Sequence, residues 1–273
     1  MSEKSRRFPL PLEKVGKSPN APARSVLMPQ RHLREAALDA QRSAAPVGLG
    51  LDSAQVRARM VQRLRAEGLS DERVLDAFGH VPRHAFVDSA LAIQAYEDTA
   101  LPIGLGQTIS KPSVVGRMLA LLMQAQGARA RGHLGKVLEI GTGCGYQAAL
   151  LAQLGQAVVT VERLRLLYER ALSNLEAIGM ATRARLVFAD GMLGHAPGAP
   201  YDSIVAAAGG EDIPSAWLEQ LAPGGRLVAP MAVPGANTQV LVVIDHQSVG
   251  GASHFIRSEH EGVLFVPLKS GVV

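Results

Sequence analysis

Three carboxylates and one hydroxyl stand where this 273-residue sequence could do chemistry: Glu139, Glu162, Asp190 and Ser110. Glu139 lies in a short apolar run, Val137-Leu138-Glu139-Ile140, that stops at a glycine-rich turn, Gly141-Thr142-Gly143-Cys144-Gly145. A helix-forming stretch, Gln147–Leu154, follows at once. Glycine lets such a turn take positive φ and removes the Cβ that would block a ligand. The helix N-terminus adds free N–H groups aimed into the same space. Glu162 closes the next apolar run, Ala157–Val161, 17 residues beyond Gly145. A carboxylate there can accept both hydroxyls of a ribose. Asp190-Gly191 follows a third run, Arg185–Ala189, where an acid can accept the exocyclic amine of adenine and Gly191 lets the backbone approach the ring. Turn and acids together describe a site for an adenosine-containing cofactor.

The dinucleotide pattern G-x-G-x-x-G needs its third glycine at position 146, where this chain has Tyr146, and its third glycine comes one residue early at Gly145. A nicotinamide oxidoreductase is therefore disfavoured. A carboxylate at Glu139 would repel a pyrophosphate but suit a cation. S-adenosyl-L-methionine, leaving S-adenosyl-L-homocysteine, meets these demands: a ribose, no phosphate, an ammonium and a sulfonium. An ordinary strand-to-helix turn is the blander alternative, and the two glutamates at their strand ends favour the methyl donor over it.

The elements that must position these groups alternate. Asp52 or Ser53 can cap a helix running to about Glu67, and a second helix is expected over Asp71–Phe78. Val81–Val87 reads as extended, with His80 and His84 structural rather than metal ligands. Gly104 and Gly106 bracket a turn, and Thr108 and Ser110 are expected on a loop leading into a helix, Ser113–Gln126, with Pro112 at its first turn. Hydroxyls there are either caps or a hold on a substrate carboxylate. Gly127–Gly135 is expected to be loop. After Glu162 come a helix, Leu164–Ile178, the third strand, and a fourth, Tyr201–Ala208. The fourth opens through Ala207 and Ala208 into a loop, Gly209–Ile213, beside the reacting centre. A helix from Pro214 to Leu221 and strands Arg226–Ala229, Thr238–Ile244, His254–Ser258 and Val263–Leu268 complete the pattern. Strand–helix alternation from 136 to 230 implies a doubly wound, mostly parallel sheet of the α/β class, with ligands at the C-terminal ends of its strands.

Composition bounds the rest. An apolar content of 47% suffices for one sizeable core plus an appendage. Residues 1–45 carry nine Lys/Arg against four acids, leaving 19 basic and 20 acidic residues in the remainder. The basic character thus belongs to a Pro- and Arg-rich extension, residues 1–50, expected to be flexible with one short helix at Arg31–Gln41. A single methyltransferase-type domain is expected over 51–273. A nucleic-acid role would rest on that extension alone and is disfavoured. No apolar run reaches the length of a membrane span, and residues 1–17 lack a signal-peptide core. Cys144 is the only cysteine, which excludes an intrachain disulfide and a cysteine-based metal site, and no metal is expected. A cytoplasmic, monomeric protein is the simplest expectation.

Several stretches resemble one family, the protein-L-isoaspartate (D-aspartate) O-methyltransferases. They are VPRHAFV (81–87), AYEDTALPIGLGQTISKP (95–112), VLEIGTGCGYQAALLAQL (137–154), FADGMLGHAPGAPYDSIVAAA (188–208), LAPGGRLVAP (221–230) and GVLFVPL (262–268). The glycine motif is common to many methyltransferases, whereas GQTIS and the terminal FVPL are more specific. The resemblance implies a class I, Rossmann-like methyltransferase fold with an N-terminal helical extension. It implies methyl transfer from S-adenosyl-L-methionine to the free α-carboxylate of L-isoaspartyl residues, and more weakly D-aspartyl residues, in age-damaged proteins. The ester then closes to a succinimide. By resemblance Ser110 is the active-site serine, and Thr108 and Ile109 are its cofactor-contacting neighbours. Glu139, the turn Gly141, Thr142, Gly143 and Gly145, Glu162, Asp190, Gly191, Thr238 and Gln239 fall to the donor. Ala207, Ala208, Val266, Pro267 and Leu268 fall to the peptide. Lys111, Ser113 and the acidic stretch Ala208–Pro214 depart from the family's usual residues.

The chemistry agrees with that assignment. A free α-carboxylate has a pKa near ~3.5 and is already ionised at pH 7, so attack on a sulfonium needs orientation rather than a general base. Ser110 lacks a G-x-S-x-G elbow and is read as an orienting hydroxyl, not an acylated nucleophile. Two other readings remain open: a methyltransferase with a small-molecule or RNA acceptor, and a non-catalytic adenosine-binding module.

Overall fold

Apolar runs that alternate with amphipathic stretches can bury both faces of a sheet only by winding helices over each side. A computed structural model describes residues 54–236, 238–249 and 252–273. The extension expected over 1–50, its helix at Arg31–Gln41 and the capping residues Asp52 and Ser53 lie outside the described residues. In chain order come α1 (Ala54–Ala66), α2 (Glu72–His80), a β-hairpin of β1 (Leu101–Gly104) and β2 (Gln107–Ile109), α3 (Pro112–Met123) and α4 (Gln126–Arg131). The wound region follows: β3 (Lys136–Ile140), α5 (Tyr146–Leu154), β4 (Ala157–Glu162), α6 (Arg165–Ala177), β5 (Ala184–Phe188), β6 (Tyr201–Ala206), α7 (Ser215–Glu219) and β7 (Leu221–Ala232). It is completed by β8 (Gln239–Val249) and β9 (Ala252–Val263).

The main sheet runs β5-β4-β3-β6-β7-β8-β9. The first five of these strands pair in parallel, and β8 and β9 add on as an antiparallel meander. The chain leaves β3 toward β4 on one side and returns to β6 on the other, so the strand order reverses at β3. A crevice opens at such a reversal, beyond the C-terminal strand ends.

Period-two alternation sorts the side chains between two cores. Val137, Val205 and Val228 face one cluster with Met60, Phe78, Leu119 and Leu150, from α1, α2, α3 and α5. Leu138, Ile204 and Leu227, one residue away on the same strands, face a second cluster with Trp217 of α7. The helices begin where local chemistry allows. Asp71 caps α2 by accepting from the N–H groups of Arg73 and Val74, and Pro112 stands in the first turn of α3.

Four expectations are corrected. Val81–Val87 is not extended but contains a 3₁₀ turn, Arg83–Phe86, which turns Arg83 and Phe86 into the core. Thr108 lies on β2, not on a loop, because Gly104 and Gly106 close a true hairpin. The expected loop at Gly127–Gly135 holds α4, ended by Gly132 in the left-handed conformation. The two C-terminal strands are one 12-residue strand, β9, followed by an irregular segment in which only Pro267 bridges to Gly209; pairing stops at Val263 because it faces Gln239, the first residue of β8.

Trp217 is fully buried, and its indole N–H donates to the carbonyl of Gly191 at 2.8 Å. Trp217→Ala opens a large cavity and strands that carbonyl, so we expect a loss of about 3–5 kcal/mol. Urea unfolding monitored by circular dichroism checks this, with a lowered midpoint at unchanged slope.

Candidate active site

The glycine turn is fastened to the end of β4 before any ligand arrives. The N–H groups of Gly141 and Thr142 both donate to the carbonyl of Val161, at 2.9 and 3.2 Å. Gly143 has φ 56°, and its N–H donates to Glu162 Oε2 at 2.8 Å. A Cβ at Gly143 would stand 3.2 Å from Ile103 Cδ1 on the hairpin. This glycine therefore supplies the left-handed backbone and also lets the β1–β2 hairpin close over the turn. Gly145 also takes left-handed backbone, φ 91°, and serves packing as well, since a Cβ there would touch Ala171 and Leu175 of α6 at 3.4 Å.

Glu162 is only 4% exposed. Its Oε1 accepts from the N–H groups of Arg163 and Leu164, both at 2.9 Å, while Oε2 holds Gly143. A carboxylate has about four lone-pair sites, so roughly one is left for a ligand hydroxyl. Beside it opens a cavity of about 390 Å³, within the range of small-molecule sites. Thr108, Ile109, Ser110, Gly141, Thr142, Gly143, Glu162, Gly191, Ala207, Ala208, Val266, Pro267 and Leu268 all line it. Residues 160 positions apart in the chain are thus brought to one wall, as Thr108 and Leu268 show.

Five of the residues singled out from the sequence are not on that wall, each for a visible reason. Glu139 is fully buried inside the sheet. Its Oε2 accepts from Thr160 Oγ1 at 2.6 Å, which in turn meets Thr142 Oγ1 at 2.6 Å. Glu139 therefore reaches the cavity through Thr160 and Thr142. Burial pushes its carboxyl up to about 8, against the hydrogen bond from Thr160, and negative Glu162 adds to the rise. Gly145 packs helices, as above. Asp190 caps the turn after β5, accepting from Met192 N–H at 2.9 Å, and its other oxygen takes Gly271 N–H at 2.6 Å. Thr238 is exposed, and its carbonyl accepts from Val233 N–H. Gln239 clamps the main chain of Phe265, donating to its carbonyl at 3.2 Å and accepting its N–H at 2.8 Å. That clamp, with Gly209 N–H to Val266 O and Leu268 N–H to Gly209 O (both 2.8 Å), holds Val266–Leu268 against the cavity.

Sequence reasoning missed other parts of the wall: Ile103, Leu105 and Gln107 on the hairpin, Gln147 on α5, Arg163 and Leu164 after β4, and Lys269 and Val273 at the C-terminal end. The glycines of PIGLGQ signalled a turn near the hairpin. The C-terminal residues carried no periodic signal. They are placed by backbone pairing, with Val273 N–H on Arg163 O and Arg165 N–H on Val273 O, both at 2.8 Å. The acidic residues of the divergent 208–214 loop, Glu211 and Asp212, are exposed and off the wall, and Asp212 lies 3.7 Å from Arg257 on β9. Ser110 is half-buried on the wall, and its hydroxyl meets no other group among the described residues. No histidine lines the cavity. Cys144 does, but burial raises its thiol above the usual range.

The Glu139 shift carries a stability consequence. Its folded pKa lies above the unfolded value, so the native state holds a proton that the unfolded state gives up between about pH 4.5 and 8. Glu139 therefore costs stability as pH rises through that window, whereas Glu139→Gln removes the cost. Thermal melts of both proteins without cofactor should show the variant's relative midpoint rising from pH 5 to pH 8. A constant difference would contradict the buried, proton-holding state.

A family model for protein-L-isoaspartate(D-aspartate) O-methyltransferase matches residues 55–273. A protein-L-isoaspartate O-methyltransferase of Methylibium petroleiphilum is 58% identical over 265 residues, 97% of this chain and 96% of the relative. One of Leptothrix cholodnii is 54% identical over 273 residues, covering 97% and 94%. Among solved structures, a protein-L-isoaspartate O-methyltransferase superposes with TM-score 0.68 at 26% identity, over 79% of this chain and 67% of that one. A Plasmodium falciparum structure described as a beta-aspartate methyltransferase with S-adenosyl-L-homocysteine superposes with TM-score 0.65 at 22% identity, over 77% and 97%, a likeness of fold. Matched along nearly its whole described length, and with a wall built from the stretches that suggested it, the chain belongs to the protein-L-isoaspartate(D-aspartate) O-methyltransferase family.

Proposed function

We propose that this chain repairs damaged proteins by transferring a methyl group to the free α-carboxylate of L-isoaspartyl residues, and more weakly of D-aspartyl residues. The donor of the family is S-adenosyl-L-methionine, whose sulfonium supplies an electrophilic methyl group. The product is a methyl ester that closes to a succinimide. The observation that carries the reading is the Ser110 hydroxyl, without a protein partner, on the same wall as Glu162 and the glycine turn.

The residues divide the work. Glu162 offers its remaining lone pair to the ribose, and Gly191, whose missing Cβ lets Ile140 pack against it, borders the adenine side. The Glu139–Thr160–Thr142 chain faces the polar end of the donor, beside a turn whose own N–H groups are already held by Val161 and Glu162. Ser110 donates its hydroxyl proton to one carboxylate oxygen of the acceptor, leaving the other oxygen to attack in line with the S–CH₃ bond. No general base is required, because the nucleophile is ionised at neutral pH, and the wall offers no histidine for one. Ala207, Ala208 and Val266–Leu268 border the acceptor side, where main-chain groups can pair with an extended peptide.

The partners are protein or peptide chains bearing the damaged residue. Nucleic acid is not part of this reading, since the positive excess belongs to residues 1–45. We take the chain to act as a monomer in the cytoplasm. The charges on the outer strand β9, Arg257, Glu259 and Glu261, blunt pairing with another sheet. Among the described residues no helix is long and apolar enough to cross a membrane.

Two synthetic peptides that differ only in L-isoaspartyl against L-aspartyl linkage test the substrate, with labelled methyl counted as a base-labile ester. Transfer to the isoaspartyl peptide alone is expected, and transfer to neither would move the search to other acceptors. Ser110→Ala should lower kcat/KM for the peptide by about 10–100-fold, the scale of a misoriented reactant. Its affinity for S-adenosyl-L-homocysteine, read by calorimetry, should stay within about threefold, since the donor's contacts are unchanged.

A further inference from the structure

Arg83 is the one cation among the fully buried large side chains, with 0% exposure. Among the described residues no carboxylate lies within ion-pairing distance of it, and its Nε and Nη1 find no acceptor. A buried charge left so poorly compensated is costly, and a chain that only needed to fill this volume could have used a methionine. What the charge does reach is specific. A single nitrogen, Nη2, donates to two main-chain carbonyls, Ser110 O at 2.8 Å and Thr99 O at 3.2 Å. The rest of the guanidinium lies over the ring of Tyr146, 4.9 Å from its centre.

Those two carbonyls are the feet of the β1–β2 hairpin. The hairpin is a two-stranded sheet of its own, with only Leu101–Ile109, Pro102–Thr108 and Gly104–Gln107 paired, and it joins no other strand. Two strands this short are marginal in water. Yet this hairpin supplies Ile103, Leu105, Gln107, Thr108 and Ile109 to the cavity wall and ends at Ser110. Tyr146, under the guanidinium, begins α5 directly after the glycine turn. Arg83 therefore ties the serine end of the cavity to the cofactor end. Asp98 fixes the next stretch of the same loop, accepting from Ser113 N–H at 2.8 Å and Ser113 Oγ at 2.7 Å. Arg170 holds the hairpin from α6 through Ile103 O at 2.9 Å.

We infer that Arg83 is a positioning residue for methyl transfer: by drawing the carbonyls of Thr99 and Ser110 onto one nitrogen above Tyr146, it sets where the Ser110 hydroxyl stands relative to the donor. It touches neither donor nor acceptor. The inference rests on the proposed role of Ser110.

Full-length Arg83→Met and Arg83→Lys are assayed with an isoaspartyl peptide, beside Ser110→Ala. For Arg83→Met we expect kcat to fall about 10-fold or more, as for a displaced reacting group, while KM for S-adenosyl-L-methionine stays within about threefold. Amide hydrogen exchange should quicken across 101–110 and stay slow across 136–162. Arg83→Lys keeps a charge that can reach the same carbonyls, and should recover part of the loss with a smaller rise in exchange. A folded Arg83→Met protein with kcat within twofold of the parent overturns the inference. So does a parallel loss of kcat and donor affinity with exchange quickened throughout, which would mark general destabilisation. If Arg83→Met does not fold, Arg83→Lys decides: unchanged exchange across 101–110 overturns the inference, and quickened exchange confined there supports it. Loss of turnover in Arg83→Met with full turnover in Ser110→Ala would refute the serine's role instead, leaving the hairpin clamp to act through the rest of the wall.

Discussion

The hydrogen bond from Gly143 N–H to Glu162 Oε2 is the contact on which the rest of the site depends. It joins the end of β3 to the end of β4 at the place where strand order reverses. Parallel strands set the two chain ends side by side, but they do not by themselves hold a glycine-rich turn open. The Glu162 carboxylate does so by taking three main-chain N–H groups, from Gly143, Arg163 and Leu164. The same carboxylate faces the cavity, so the group that would recognise a ribose is already rigid. Preorganisation of this kind spares the ordering entropy that a flexible acid would lose on binding.

Around that junction the chain builds its walls from segments with little structure of their own. The hairpin is held by three buried or half-buried arginine and aspartate side chains, and Val266–Leu268 by the side chain of Gln239 and the main chain of Gly209. The C-terminal residues pair with Arg163 and Arg165, directly after Glu162. Each wall is fixed by polar contacts to main-chain atoms in addition to the apolar packing of Leu101, Ile103, Ile109 and Phe265. That suits a site whose acceptor is a stretch of polypeptide, which needs an accessible edge as well as a closed donor pocket. Divergence in the 208–214 loop is accommodated because Gly209 keeps the pairing while Glu211 and Asp212 turn outward.

Local patterns made most of the architecture legible. The alternation of apolar runs with amphipathic stretches announced the wound sheet, and the spacing from Gly141 to Glu162 announced that these residues meet at adjacent strand ends. Boundaries failed where tertiary forces outweighed propensity. Arg83–Phe86 forms a 3₁₀ turn because Arg83 and Phe86 both enter the core. The stretch after Gly262 gives up strand structure beyond Val263 and takes its shape from Gln239, 26 positions before the Phe265 it clamps. Glu139 illustrates the limit from the other side. Its place before the glycine turn suggested a direct partner for a cation, but β3 is covered on both faces, so the side chain is enclosed and acts through Thr160 and Thr142.

By itself, then, the amino-acid order determined the order of strands and helices, the glycine turn, the carboxylate at the end of β4 and the serine ahead of α3. These are short-range facts, set by hydrophobic period, by which residues tolerate positive φ, and by which side chains carry charge. Only the tertiary structure decided which of those residues share a wall, that Glu139 and Asp190 are spent on internal contacts, and that Arg83 and the last residues of the chain take part. Those outcomes depend on hydrogen bonds between atoms far apart in sequence, such as Arg83 with Ser110 and Gly271 with Asp190. Such bonds form only after the sheet has brought the strand ends together, and no local pattern encodes them.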